Sequence, residues 1–182
     1  MRDFTRRAVL GLWAATTLVV AAEPRQIENR QLTWADFRGE PEAESPYDAY
    51  TYWSVHYSYD APTRDGDGYR VSPRVWNQLD GRSWVKPRVK EAPVSTALLD
   101  HEQGHYTLGV LCALEFKKLA STRRFGKHYH AELRDLFDQV LKKFLDLEQR
   151  YDAETRHMWD RAAQREWNQR LARMVSERWA DR

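Results

Sequence analysis

Cys112 is the only cysteine in this chain of 182 residues. No disulfide can close within it, so stability has to come from core packing or a bound metal. Net charge is nearly absent too. Twenty-nine Lys and Arg against 27 Asp and Glu leave a formal +2, too little to hold a nucleic acid by charge alone. Proline stops at Pro93, and from Ser95 onward glycine occurs only at 104, 109 and 126. A second half so poor in breakers reads as helix. There is no internal repeat and no low-complexity segment. The one long apolar run, Ala8 to Val20, is short of the ~20 residues that span a membrane.

That run follows Arg6-Arg7 and precedes small residues ahead of Glu23. A basic start, an apolar middle and a small-residue end make an export signal. Val20 and Ala22 suit the positions before a cut, so residues 1–22 are the expected signal and 23–182 a single mature domain. An uncleaved anchor is the alternative. The arginine pair fits twin-arginine export as well as the general secretory route. Either route predicts a periplasmic or secreted protein with no stable membrane insertion after cleavage.

From Gln31 to about Lys90 the chain is rich in Tyr, Trp and Val. In "AYTYWSVHYSYD" Thr51, Trp53, Val55, Tyr57 and Tyr59 alternate with Ser54, His56 and Ser58, the pattern of a half-buried strand. "TRDGDG" follows as a turn; it is too short for a calcium loop. "YRVSPRVWNQL" and "RSWVKPRV" read as further strands, with Pro73 and Pro87 at edges or bends. Ser95 is the expected N-cap of a helix running to about Thr122. Gly126 is its expected stop, and a second helical stretch runs from about Tyr129 towards Ala180. The predicted fold is α+β, a small antiparallel sheet followed by a long helical hairpin.

The first helix carries "LLDHEQGHYTLG". His101 and His105 are one turn apart, about 40° around the axis and ~6 Å along it, so both imidazoles can meet one metal ion. Glu102 is placed to touch a water there. Two histidines on Zn²⁺ with a glutamate as base is the chemistry of this spacing. Leu98, Leu99, Leu108, Val110 and Leu111 bury the helix, and Gly104 lets another element approach. The plain alternative is a polar helix face with a fortuitous spacing.

A catalytic zinc takes a third protein ligand and keeps one position open. Asp100 points away, and Glu115 lies about 15 Å along the helix from His105. The second helical stretch has an apolar stripe through Leu133, Leu136, Phe137, Val140, Phe144, Leu147 and Tyr151. Continued, it meets Glu154, Thr155 and Met158. A core-facing carboxylate is costly without a partner, so Glu154 is the expected third ligand. Its alternative is an ion pair with Arg150 or Arg161. His157 shares that side, with oxyanion stabilisation as its expected role. Asp152 falls well off the stripe of a straight helix.

"LTWADFRG" (32–39), "SWVK" (83–86), "LLDHEQGHYTLG" and "YDAETRHMWDRAAQREW" (151–167), in that order, resemble the bacterial secreted family catalogued as domain of unknown function 922. Its members are described as zinc-dependent proteases. The resemblance implies a zincin-like enzyme in which His101 and His105 hold the metal and Glu102 is the base. It does not choose among Asp152, Glu154 and His157, which all lie in the matching segment. Where the family tends to have a small residue after the last histidine, this chain has Met158, and a continuous helix is expected there.

The remaining candidates read as structure. His56 belongs to a polar strand face, and His128 and His130 to a solvated loop. Cys112 is a buried small side chain. Trp159, Trp167 and Trp179 look like packing, and Arg170, Arg173 and Arg178 like a solvated face. The expected function is an exported zinc metallopeptidase-like hydrolase acting on a peptide or protein. The strand at Ser83–Lys86 would align an extended substrate by edge pairing. The rival readings are a zinc amidase acting on cell-wall material and a non-catalytic envelope-binding protein with a vestigial or structural metal site.

Overall fold

A computed structural model describes residues 26–180; the expected signal and its cut after Ala22 lie outside them. After a short 3-10 turn, Trp34–Asp36, the strands are β1 (Ala49–Tyr50), β2 (Trp53–Tyr59), β3 (Thr63–Asp65), β4 (Gly68–Arg70), β5 (Pro73–Leu79) and β6 (Trp84–Val85). Then come α1 (Pro87–Lys90), α2 (Ser95–Thr122), β7 (Arg124–Phe125), α3 (Tyr129–Thr155) and α4 (Arg161–Ala180). The architecture is α+β, as expected, but its strands form three small antiparallel sheets: β1 with β6, β2 with β5, and β3-β4-β7. Among the described residues no helix is long and apolar enough to cross a membrane.

The α2 helix is the axis of the molecule. Leu108, Val110, Leu111, Cys112 and Ala113 are all fully buried, so this helix is covered on every side. The β2–β5 pair covers one side through the alternation expected of β2: Tyr57 packs on Phe116 of α2 and Phe137 of α3. Trp53 lies against Gly109, where a Cβ would stand 3.0 Å from the indole. On another side α3 approaches at Gly104, where a Cβ would run into the Tyr151 hydroxyl. The expectation of a close approach at Gly104 is met by that tyrosine.

Several local expectations change. Ser95 is the first helical residue and Val94 the cap; the Ser95 hydroxyl donates to Lys90 O at 3.0 Å and accepts from Trp34 Nε1 at 2.7 Å. Gly126 does not stop α2. The helix ends at Thr122 because Arg123 turns extended and β7 pairs with β4, Tyr69 opposite Phe125. In "RSWVKPRV" only Trp84–Val85 is strand, and Pro87 opens α1, the position where its missing N–H costs nothing.

The largest change is past Tyr151. The expected continuous helix breaks at Arg156, His157 and Met158, which are left-handed in succession with φ 50, 50 and 75°. Each such residue costs an L-amino acid roughly 1–2 kcal/mol. The break is held by backbone bonds from His157 N to Asp152 O at 3.1 Å and from Asp160 N to Thr155 O at 2.9 Å. Met158 is buried beneath it. Asp160 Oδ1 then accepts the N–H groups of Ala162 and Ala163 and starts α4, which packs as a third helix beside the expected hairpin.

Candidate metal centre

His101 and His105 are buried on the α2 face that looks towards α3. Their Nε2 atoms are 3.2 Å apart. Asp152 Oδ1, from α3, lies 3.1 Å from the first and 3.0 Å from the second. His157, presented by the left-handed turn, brings Nδ1 to 3.5 Å from the same oxygen. His101, Asp152 and His157 offer ligand atoms within 4.8 Å of one another, a group that could hold a metal ion.

The outer partners decide which way the imidazoles face. His101 Nδ1 meets Gln164 Oε1 at 3.0 Å. Gln164 Nε2 is committed as donor to the Tyr151 hydroxyl and Asn168 Oδ1, so Oε1 can only accept and His101 Nδ1 carries the hydrogen. His105 Nδ1 meets Glu148 Oε1 at 2.9 Å, and a carboxylate likewise only accepts. Both Nε2 lone pairs are thereby aimed at each other and at the Asp152 carboxylate. Three acceptors meeting in a buried place repel one another unless a cation or a proton sits among them.

Without a metal, the proton falls to His105. Burial opposes its charge, but hydrogen bonds to Asp152 and Glu148 outweigh that and push it up to about 10. Asp152 shows the reciprocal effect: burial raises it, and the two histidines bring it well below the usual carboxylate range. Two imidazoles and a carboxylate, each imidazole oriented by an outer acceptor, are a donor set that could hold a metal ion.

Glu102 is buried beside the pair. Its Oε2 accepts a hydrogen bond from the Thr51 hydroxyl at 2.6 Å, and it lines the same cleft as the cluster, a cavity of about 430 Å³. Thr51 is therefore a positioning residue for that carboxylate.

Glu154 is not in the cluster. Its carboxylate, 41% exposed, accepts from Arg150 Nε at 2.5 Å and Trp167 Nε1 at 2.8 Å. The reason is helical phase. From Tyr151 the inward side continues to Thr155, which is fully buried. At about 100° per residue, Asp152 lies on one flank of that line with Glu148, and Glu154 on the other flank. The stripe named the core-facing line correctly, but the metal side is its flank. Glu148, Gln164 and the role of Asp152 were missed; the Leu145, Glu148, Asp152 spacing of three and four was the available signal. Thr51, expected within the alternating strand, lies in the link between β1 and β2 and is buried.

The other candidates fall mostly where expected. His56 is exposed beside Ser54 and stacked on Trp76. His128 is exposed at the cap of α3; His130, expected in a loop, is instead in the first turn of α3, where it meets the Tyr59 hydroxyl. Cys112 is fully buried, and burial pushes its thiol up to about 12. Trp167 packs in the core, but Trp159 is 67% exposed. In comparison with known proteins, residues 23–158 match the family described as Bacterial protein of unknown function (DUF922). No curated protein and no solved structure matches the chain.

Proposed function

We propose that this chain, which belongs to that bacterial family of unknown function, is a zinc-dependent peptidase acting outside the cytoplasm. The observation that carries the reading is the convergence of three acceptor atoms, from His101, His105 and Asp152, in the wall of an open cleft that also holds Glu102. These three residues would hold the metal. Bound there, zinc would supply a Lewis acid for the scissile carbonyl and lower the pKa of a coordinated water towards neutrality.

Glu102 takes the proton of the attacking water and returns it to the leaving amine. Thr51 occupies one carboxylate oxygen and fixes the orientation of the other. His157 is the most exposed of the three clustered imidazoles, 46% against 3% and 10%, and the furthest from Asp152. It is assigned to the cleft side, donating to the oxyanion as it forms.

What favours a peptide is the edge of β1. The bond from Lys86 N to Asp48 O makes Ala49–Val85 a non-bonded pair of the ladder, so the N–H and C=O of Ala49 point away from β6. Ala49, Tyr50 and Thr51 line the cleft. An extended chain can add to that edge. The strand at Ser83–Lys86 is the expected aligner; both residues of β6 are instead buried and away from the cleft, and the assignment moves to β1.

The test is elemental analysis and peptide hydrolysis on purified protein. The expected result is about one zinc per chain and hydrolysis abolished in Glu102→Gln with zinc retained. No metal after dialysis against zinc, or full activity in Glu102→Gln, sinks the reading.

A further inference from the structure

Five large apolar side chains are well exposed among the described residues: Tyr47, Tyr50, Leu119, Leu145 and Trp159. All but Leu119 border the cleft that contains the histidine cluster. Single exposed apolar residues are ordinary; a concentration at the mouth of a cleft marks a binding surface. Trp159 directly follows the left-handed turn, with its N–H bonded to Arg156 O at 3.2 Å, so its backbone is held while its indole stays in water. The Tyr47 ring lies 6.2 Å from Tyr50 and 5.0 Å from His157. An aromatic wall thus runs from the edge strand to the cluster.

The acidic side chains of the cleft outnumber its basic ones. Asp48, Glu102, Glu148 and Asp152 line it, and no Lys or Arg is among its described lining residues. An acidic side chain entering there would be desolvated against these carboxylates, with no lysine or arginine of the lining to pair with. Tyr50 is exposed where Ala49 is buried, because successive strand residues face opposite ways. A chain paired with the N–H and C=O of Ala49 that point away from β6 sets one of its side chains beside Tyr50.

We propose that this cleft selects a peptide with a bulky apolar side chain, aromatic by preference, next to the bond it holds. Tyr47, Tyr50, Leu145 and Trp159 form the selecting surface, and glycine or an acidic residue at that place is rejected. This rests on the peptidase reading.

The experiment uses zinc-loaded Glu102→Gln, which is designed to bind without turnover, and fluorescein-labelled alanine hexapeptides whose one central residue is Phe, Gly or Glu. Fluorescence anisotropy should show the Phe peptide binding about tenfold more tightly than the other two. Trp159→Ala in the same background should remove most of that ratio, and Leu119→Ala should leave it unchanged. Circular dichroism and zinc content establish that each variant is folded and loaded. Equal binding of the three peptides, binding of none, or a ratio that survives both Trp159→Ala and Tyr50→Ala overturns the proposal. So does tighter binding of cell-wall glycan fragments than of the Phe peptide. The same peptides given to the unmodified zinc-loaded chain separate the two ideas. Cleavage without preference overturns the selectivity and keeps the peptidase reading. Selective binding with no cleavage sinks the peptidase reading and keeps the selectivity.

Discussion

Asp152 and Glu154 stand two residues apart on one helix, yet their carboxylates serve different neighbours. Asp152 closes a triangle with two imidazole nitrogens; Glu154 holds an arginine and an indole at the surface. Asp152→Ala should therefore strip zinc. Glu154→Ala should keep it, and His157→Ala should keep it while slowing hydrolysis by ~10²–10³-fold, as loss of an oxyanion donor does. Zinc titration of the three variants checks this, and zinc lost from His157→Ala would move that residue into the ligand set. The metal-free chain gives a second test. His105 is raised to about 10 in the fold, above its ordinary ~6.5. Its contribution to stability is fully present below ~6.5 and is lost as pH rises through about 10. Calorimetry on chelator-treated protein should show Tm falling from pH 7 to 10. A flat profile would mean that the proton is not held at His105.

At the scale of elements, the break between α3 and α4 completes the surroundings of the site, bringing His157 beside Asp152 and Gln164 behind His101. A straight helix would have carried His157 onward with the helical phase; three left-handed residues set it beside Asp152 instead. Strain of this kind persists where surrounding contacts over-determine it. Arg156 is exposed and takes the first left-handed position, which glycine occupies at no steric cost. Arg156→Gly should raise stability by about 1 kcal/mol, read as an increase in the denaturation midpoint. A lowered midpoint would show that the arginine side chain itself holds the turn. The second consequence of the break is that α4 can fold back over the α2–α3 pair. It brings Gln164 to His101, although α4 begins after the family match ends at residue 158.

For the whole molecule, one helix organises everything. The α2 helix is covered by the β2–β5 pair, by α3 and by α4, and its first half carries the histidines. With Cys112 buried and no second cysteine, an oxidising compartment adds no intrachain cross-link, so the core and the proposed metal have to hold the chain together. The proposed export has its own test. N-terminal sequencing of periplasmic or secreted material should start at Glu23. A start at Met1 would make the segment an anchor.

Local physics was legible in the residues alone. The alternation over 51–59, the helix from Ser95 to Thr122 and the one-turn spacing of His101 and His105 depend only on near neighbours; the helix and the spacing carried into the fold, and the alternation did from Trp53 onward. Glu102 next to His101 is of the same kind. The third acceptor was not legible, because it depends on phase accumulated along α3, and one residue of drift, about 100°, carries a flank position onto or off the core-facing line. The turn at 156–158 was hidden for a related reason: no glycine or proline marks it, and its stability comes from the burial of Met158 and the cap at Asp160. Gln164 and Glu148 touch the histidines across 63 and 43 residues of chain. Only tertiary packing brings such partners together, since helix period relates side chains within a helix and says nothing of which side chains meet between helices.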